Sequence, residues 1–427
     1  MEKSTYQAYL DILKQELIPA LGCTEPIAIA LAAAKAREVL GEMPTSLEIQ
    51  CSGNIIKNVM GVVVPNSGGM KGIGAAALLG ALGGDAGKEL EVLTTVTDEH
   101  RQKAKELLKT DFFSCTLKEN VDNLYIVAIL HSKEHCAQVS IVNRHTLFAK
   151  IVKDGQTLYE RDIFQQDQKS YDKSVLNVKD ILEFAETVQI PDLEDTIGVQ
   201  IACNTAISEE GLREQFGVQV GRTLLDRFGN DVRTRARAKA AAGSDARMSG
   251  CALPVVINSG SGNQGVTVSM PVIEYAEHLK VGKEKLYRAL AISNLIAIHQ
   301  KQYIGSLSAF CGAVTAACGA GAAITYLYGG DYEKICNTIT NTVANIGGIV
   351  CDGAKPSCAA KIASAVDAAI MAHELSMCGH AFCCGEGIVQ EDIETTIQSV
   401  GYVGRVGMRL TDTEILHIMT NQVHFDD

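Results

Sequence analysis

The chain has 427 residues, 47% of them hydrophobic and 21% charged, with a formal net charge of −12. That length suits two or three domains of about 150 residues each, and the apolar share excludes a disordered chain. The acidic balance argues against nucleic acid or an anionic membrane surface as partner, since both reward a basic face.

The opening MEKSTYQAYLDILKQEL has no apolar signal core and no small-residue cleavage site. A cytoplasmic, reducing location is therefore expected. Tyr9, Leu10, Ile12, Leu13 and Leu17 recur at helical spacing and predict an amphipathic helix. Gly22-Cys23-Thr24-Glu25-Pro26 then leads into IAIALAAAKAREVL, a second and mostly buried helix. Both helices, within 1–44, are expected to pack on a catalytic domain farther along the chain.

Residues 45–170 change character and predict an α/β domain. SLEIQCS, GVVVP, ELEVLTTV, NLYIVAIL and HCAQVSIV read as strands, rich in Val and Ile. GIGAAALLGALGG and DEHRQKAKELLKT read as the helices between them. The polar stretch YERDIFQQDQKSYDKS marks the domain boundary. From 171 to 427 the pattern is almost entirely helical, broken by Gly-rich turns. The expected class is thus α+β, a mainly helical catalytic domain with an inserted smaller α/β domain. Gln302 to Gly330 carries no formal charge. Its Gly, Ala, Ser, Thr and Cys content barely favours membrane insertion, so it reads as a buried helix.

Three cysteines carry the main chemical signal. Cys351 lies in a Gly-rich turn, Cys358 follows Pro356 at a helix start, and Cys311 begins another helix. Helix starts favour thiolate, the form that binds iron. Such thiolates could hold three irons of a [4Fe–4S] cube and leave one open, but spacing alone also allows small buried side chains. Cys23 is separate, and spacing leaves it either a base or ligand or a plain helix-entry residue. Two Gly-rich loops echo one another, Asn66-Ser67-Gly68-Gly69 and Asn258-Ser259-Gly260-Ser261-Gly262. Their N–H groups and side chains could bind a carboxylate or phosphate, or they could be plain tight turns. His373 and His380 lie near Cys378, Cys383 and Cys384, at spacings that fit no zinc class well.

Four motifs together resemble the L-cysteine desulfidase family. They are Gly22–Pro26, Pro65-Asn66-Ser67-Gly68-Gly69-Met70-Lys71-Gly72, Asn258-Ser259-Gly260-Ser261-Gly262-Asn263-Gln264-Gly265, and Cys351-Asp352-Gly353-Ala354-Lys355-Pro356-Ser357-Cys358. That family is related to the alpha chain of iron–sulfur L-serine dehydratase, to which the similarity is looser and covers mainly 175–400. The resemblance implies a lyase with a [4Fe–4S] cofactor that converts L-cysteine and water to pyruvate, ammonia and hydrogen sulfide. It implies Cys311, Cys351 and Cys358 as cluster ligands, with Cys318 the nearest alternative to Cys311, and Cys23 as an extra active-site cysteine. Cys23 is then the candidate base, and Asn66, Ser67, Gly68, Ser259, Ser261 and Asn263 are candidates for gripping the substrate. The chain ends Val-His-Phe-Asp-Asp, without the dehydratases' C-terminal cysteine tail, and its last two cluster cysteines stand closer together than theirs. L-serine dehydration is the alternative reaction, and a non-catalytic iron–sulfur redox sensor the alternative of another class. The expected partner is a small amino acid, with no nucleic acid and no membrane, and the reading allows a homo-oligomer.

Overall fold

The computed structural model describes residues 1–161, 172–305 and 307–423. The chain runs α1 (Lys3–Glu16), β1 (Pro19–Leu21), α2 (Thr24–Leu40), β2 (Ser46–Cys51), α3 (Gly53–Met60), α4 (Gly72–Gly83) and α5 (Asp98–Leu107). Strands β3 (Phe113–Leu117), β4 (Tyr125–His131), β5 (Cys136–Val142), β6 (Phe148–Lys153) and β7 (Gln156–Glu160) follow. Then come α6 (Val178–Thr187), α7 (Val199–Arg213), α8 (Val220–Phe228), α9 (Val232–Met248), β8 (Pro254–Val256), α10 (Gly262–His278) and α11 (Lys283–Ile304). The last are α12 (Gly312–Leu327), α13 (Tyr332–Ile346), α14 (Cys358–Met377), α15 (Ile393–Tyr402) and α16 (Arg409–Met419). The class is α+β with a mainly helical body.

Strands β2 to β7 form a mixed six-stranded sheet in the order β3-β2-β4-β5-β6-β7. Only β2 and β3 run parallel; the other pairs are antiparallel. In β2 the period-2 pattern buries Leu47, Ile49 and Cys51 on one face. Helix α2 lies on the sheet together with α4, and its Ala-rich surface lets the two helices pack closely. Here the structure differs from the expectation for 1–44. Only α1 joins the helical core, through Tyr9, Ile12 and Leu13, whereas α2 is apolar all round from Pro26 to Ala34 and is enclosed by the sheet, α4 and the segment 86–95.

Two predicted strands are absent. Residues 61–65 form a turn with one isolated bridge, Val63 to Lys71, because Pro65 has no N–H for a ladder. Residues 86–95 wind as irregular 3₁₀ turns, with Asp85 accepting from the Gly87 N–H and Glu89 at φ 47°. Both segments bury Val and Leu side chains, Val62 and Val64 in one and Leu90, Val92 and Leu93 in the other, and short apolar runs like these do not by themselves tell strand from turn. The predicted boundary at 159–174 falls largely outside the described residues.

In the helical body, α12 packs against α10, α11, α13 and α14. Its sequence GAVTAACGAGAAITYL explains that position: a side chain at Gly319 would lie 2.3 Å from the Ser293 carbonyl of α11. The uncharged stretch 302–330 is split by the turn between α11 and α12. Among the described residues no helix is long and apolar enough to cross a membrane. Strands β1 and β8 pair antiparallel, bringing the Gly22-Cys23 turn and the Asn258 loop to one place.

Candidate active site

A cavity of about 470 Å³ opens where the α2 entry, the β5–β6 turn and the loops before α10, α12 and α14 meet. Cys311, Cys351, Cys358 and Cys23 all line it. Cys311 caps α12, and Cys358 is the first residue of α14. Between Cys351 and Cys358 the chain turns at Gly353, with φ 96°. A side chain there would lie 2.3 Å from the Lys57 carbonyl, so the turn requires glycine.

Burial pushes the Cys311 thiol up to about 12, and negative charge on Cys351 and Cys358 adds to the rise. Cys358 is raised first by burial and then by Cys351. Three thiols that feel one another across a cavity need positive charge to ionise together. Lysines supply some of it. Lys361 bonds the Val350 carbonyl at 2.7 Å and pairs with Asp352, whose carboxylate Lys355 holds at 2.6 Å. Lys301 is buried in the lining; burial lowers its pKa against the opposing pull of Cys351 and Cys311. Cys318, the alternative ligand, is fully buried against the Ile339 carbonyl and does not line the cavity.

Among the described residues, no three His, Cys, Asp or Glu side chains form a site for a single metal ion. Each thiolate of an iron–sulfur cube holds a different iron, so a wider spacing suits it. The donor chemistry fits such a group: three sulfurs, the soft ligands that select iron–sulfur clusters, lining one cavity beside lysine charge.

The same cavity is lined by a buried acid–thiol pair. The Cys23 thiol donates to Glu25 Oε2 at 3.1 Å, and the Thr24 hydroxyl donates to the same oxygen at 3.1 Å. Asn58 Nδ2 donates to Glu25 Oε1 at 3.1 Å. Burial and then the Glu25 charge raise Cys23 well above the ordinary thiol range, against the pull of Arg247. Burial alone would raise Glu25, but the His145 charge, the Cys23 hydrogen bond and Arg247 outweigh it and hold the carboxyl low. At rest the pair is therefore a thiol beside a carboxylate. Burial lowers His145, against Glu25, and its Nε2 is buried without a partner.

Ser259, Ser261 and Asn263 line the cavity. Asn66, Ser67 and Gly68 do not, so the structure does not bring the first Asn-Ser-Gly loop to this cavity. Its side chains are spent locally. Asn66 Nδ2 donates to the Leu93 and Val96 carbonyls, Asn66 Oδ1 accepts from Arg101, and Ser67 Oγ donates to the Met70 carbonyl. This loop is a tight turn. Sequence reasoning missed Glu25, His145, Arg247, Gln264 and Lys301. Glu25 lies inside a recognised motif, whereas His145 on the β5–β6 turn carried no local signal. His373 and the late cysteines do not converge: His373 is buried with Nδ1 3.0 Å from the Thr325 hydroxyl, while Cys378, Cys383 and Cys384 are exposed.

The class of protein comes from its family, a lyase of the serine dehydratase type. A family model described as the serine dehydratase alpha chain matches residues 87–417, and the chain belongs to that family, which is in general iron–sulfur dependent. A UPF0597 protein of Lachnoclostridium phytofermentans is 57% identical over 97% of this chain and 100% of its own length. Another, from Desulfitobacterium hafniense, is 50% identical over 98% of this chain and 97% of its own. A third, from Treponema denticola, is 46% identical over 98% and 99%.

Proposed function

We propose that the protein is a carbon–sulfur lyase that splits L-cysteine by β-elimination. One observation carries the reading: the three-cysteine wall and the Cys23–Glu25 pair line the same cavity. Cys311, Cys351 and Cys358 would hold a [4Fe–4S] group, which supplies a Lewis-acidic iron for the leaving sulfur.

The chain's own residues handle the proton. A Cα–H is a weak acid and needs a positioned base. Cys23 sulfur takes that proton while its own thiol proton passes to Glu25 Oε2, already its hydrogen-bond acceptor. Asn58 and Thr24 hold the carboxylate in place for this transfer. Ser259 and Ser261 are positioned to orient the substrate from the cavity wall. Loss of the Cα proton and of sulfide leaves aminoacrylate, which tautomerises and takes up water to give pyruvate and ammonia.

The family description favours a second reading, L-serine dehydration, which differs only in the leaving group. The test is anaerobic reconstitution followed by sulfide and pyruvate assays with cysteine and serine on one sample. We expect about four irons per chain, equal sulfide and pyruvate from cysteine, and a lower kcat/KM for serine. Pyruvate from serine without sulfide from cysteine selects the second reading. A cluster with neither product makes the protein a redox sensor.

A further inference from the structure

Arg247 is 2% exposed, the largest of the fully buried side chains. Its Nε donates to the Gly22 carbonyl at 2.9 Å. Among the described residues its terminal nitrogens have no hydrogen-bond partner, and no carboxylate stands within ion-pair distance. A guanidinium stays protonated, and burying it without an anion is costly. Yet this one lines the main cavity. The neighbouring backbone makes room for it: a side chain at Gly262 would lie 2.3 Å from its Nε. Gly262 opens α10, whose first-turn N–H groups lack helical partners and attract anions.

A second set of orphans sits on the same turn. Asn263 Oδ1 and Gln264 Oε1 are buried acceptors without donors, and both residues line the cavity. The Gln264 amide reaches the cysteine wall, because a side chain at Gly312, next to Cys311, would lie 2.6 Å from its Cδ. One unpaired cation from α9 and two unpaired carbonyls on the first turn of α10 are the complement of a zwitterion.

Resting on the reading of the site as an amino-acid lyase, we infer that Arg247, Asn263 and Gln264 read the head group of a free α-amino acid. Arg247 and the α10 N–H groups take the carboxylate; the Asn263 and Gln264 carbonyls take the ammonium. This gives Asn263 the opposite charge partner from the one its loop suggested. It also sets specificity, since a peptide-linked cysteine lacks at least one of the charged ends.

Two probes that each lack one end separate the roles: 3-mercaptopropionate has thiol and carboxylate, cysteamine has thiol and ammonium. Their affinities are measured by calorimetry on the anaerobic holoprotein, which needs no turnover. Arg247→Met is expected to weaken 3-mercaptopropionate about 100-fold, the scale of a bidentate charged pair, and to leave cysteamine within about twofold. Gln264→Met is expected to do the reverse, by about tenfold. Arg247→Lys keeps the charge and should fall between wild type and Arg247→Met; it carries the test if the methionine variant does not fold. Equal losses for both probes, or no loss for either, overturn the assignment. If the wild type still releases sulfide from cysteine, only the head-group assignment falls. A wild type that binds neither probe and releases no sulfide removes the lyase reading with it.

Discussion

Cys311 and Cys351 are tied together through their backbones: the Cys311 N–H donates to the Ile349 carbonyl at 3.0 Å, and the Cys351 N–H to the Ala309 carbonyl at 2.6 Å. Phe310 and Val350 form an antiparallel bridge between them. Two cysteines distant in sequence thus sit on facing extended segments, where neither can move without breaking a hydrogen bond. Cys358 joins them across the Gly353 turn. In the proposed cluster each thiol would hold its own iron, so none could stand in for another. Cys311→Ala, Cys351→Ala and Cys358→Ala should each lower bound iron after anaerobic reconstitution by at least about tenfold, since even outer-shell partners are worth 10–100-fold in metal affinity. Cys318→Ala should keep its iron. Iron per chain and visible absorbance check this, and full iron in Cys351→Ala would remove that residue from the ligand set.

Glu25 is buried and accepts the Cys23 thiol proton's hydrogen bond. Glu25→Gln cannot receive that proton. Its kcat for L-cysteine should fall about 10²–10⁴-fold, the range for loss of a general base, with iron content unchanged. Cys23→Ser should fall comparably. A Glu25→Gln variant with wild-type kcat breaks the relay.

Gly353 has a positive φ, and a side chain there meets the Lys57 carbonyl. Gly353→Ala therefore combines backbone strain with a clash. It should cost at least about 1–3 kcal/mol, seen as a lower urea midpoint, and should also lower iron occupancy. An alanine variant with unchanged midpoint and iron would mean the turn can relax.

Much of this was legible in the sequence because it was chemically local. Cys358 after Pro356, Cys311 before a small-residue helix and the glycine-rich loop at 258–262 announce helix starts, and helix starts are where the structure puts them. The sheet was legible where alternation runs the length of a strand, as in β2, and not at 61–65, where Val62 and Val64 are buried but Pro65 has no N–H to continue a ladder. What stayed hidden was long-range. Asn66 and Asn258 open nearly the same tetrapeptide, yet one loop lines the cavity and the other is consumed by Leu93, Val96 and Arg101. Arg247 and His145 reach the cavity from α9 and from the β5–β6 turn. No spacing rule connects residues 145, 247 and 25; only the cavity they line together does.

His373 offers a pH test free of the active site. It is 1% exposed, and burial lowers its pKa from 6.5 to about 4. The unfolded chain binds this proton at higher pH than the folded one. Stability is therefore fully present above about 6.5 and is lost as pH falls toward 4, by up to about 3 kcal/mol. Urea midpoints between pH 7 and 4.5 should drop, and His373→Asn should show a shallower drop. A parallel decline in both proteins would mean another group drives the loss.

Lys57 and Asp412 form an ion pair that fastens α16 to α3, with the lysine side chain 2% exposed and the aspartate 17%. The Lys57 amine also lies 3.5 Å from the Cys351 carbonyl, so the pair backs the cysteine turn. The two ends are unequal. Asp412→Asn strands a buried ammonium and should cost about 3–5 kcal/mol. Lys57→Met removes the cation and leaves a carboxylate that reaches water, so it should cost less. The double variant Lys57→Met, Asp412→Leu should recover part of the loss, because no charge then remains buried. Chemical denaturation of the three proteins gives the order. The rate at which each loses visible absorbance on exposure to a chelator reports whether the Cys351 turn has loosened. If Lys57→Met is the most destabilised of the three, the lysine acts mainly through packing and the Cys351 carbonyl, and the ion pair is not what holds α16.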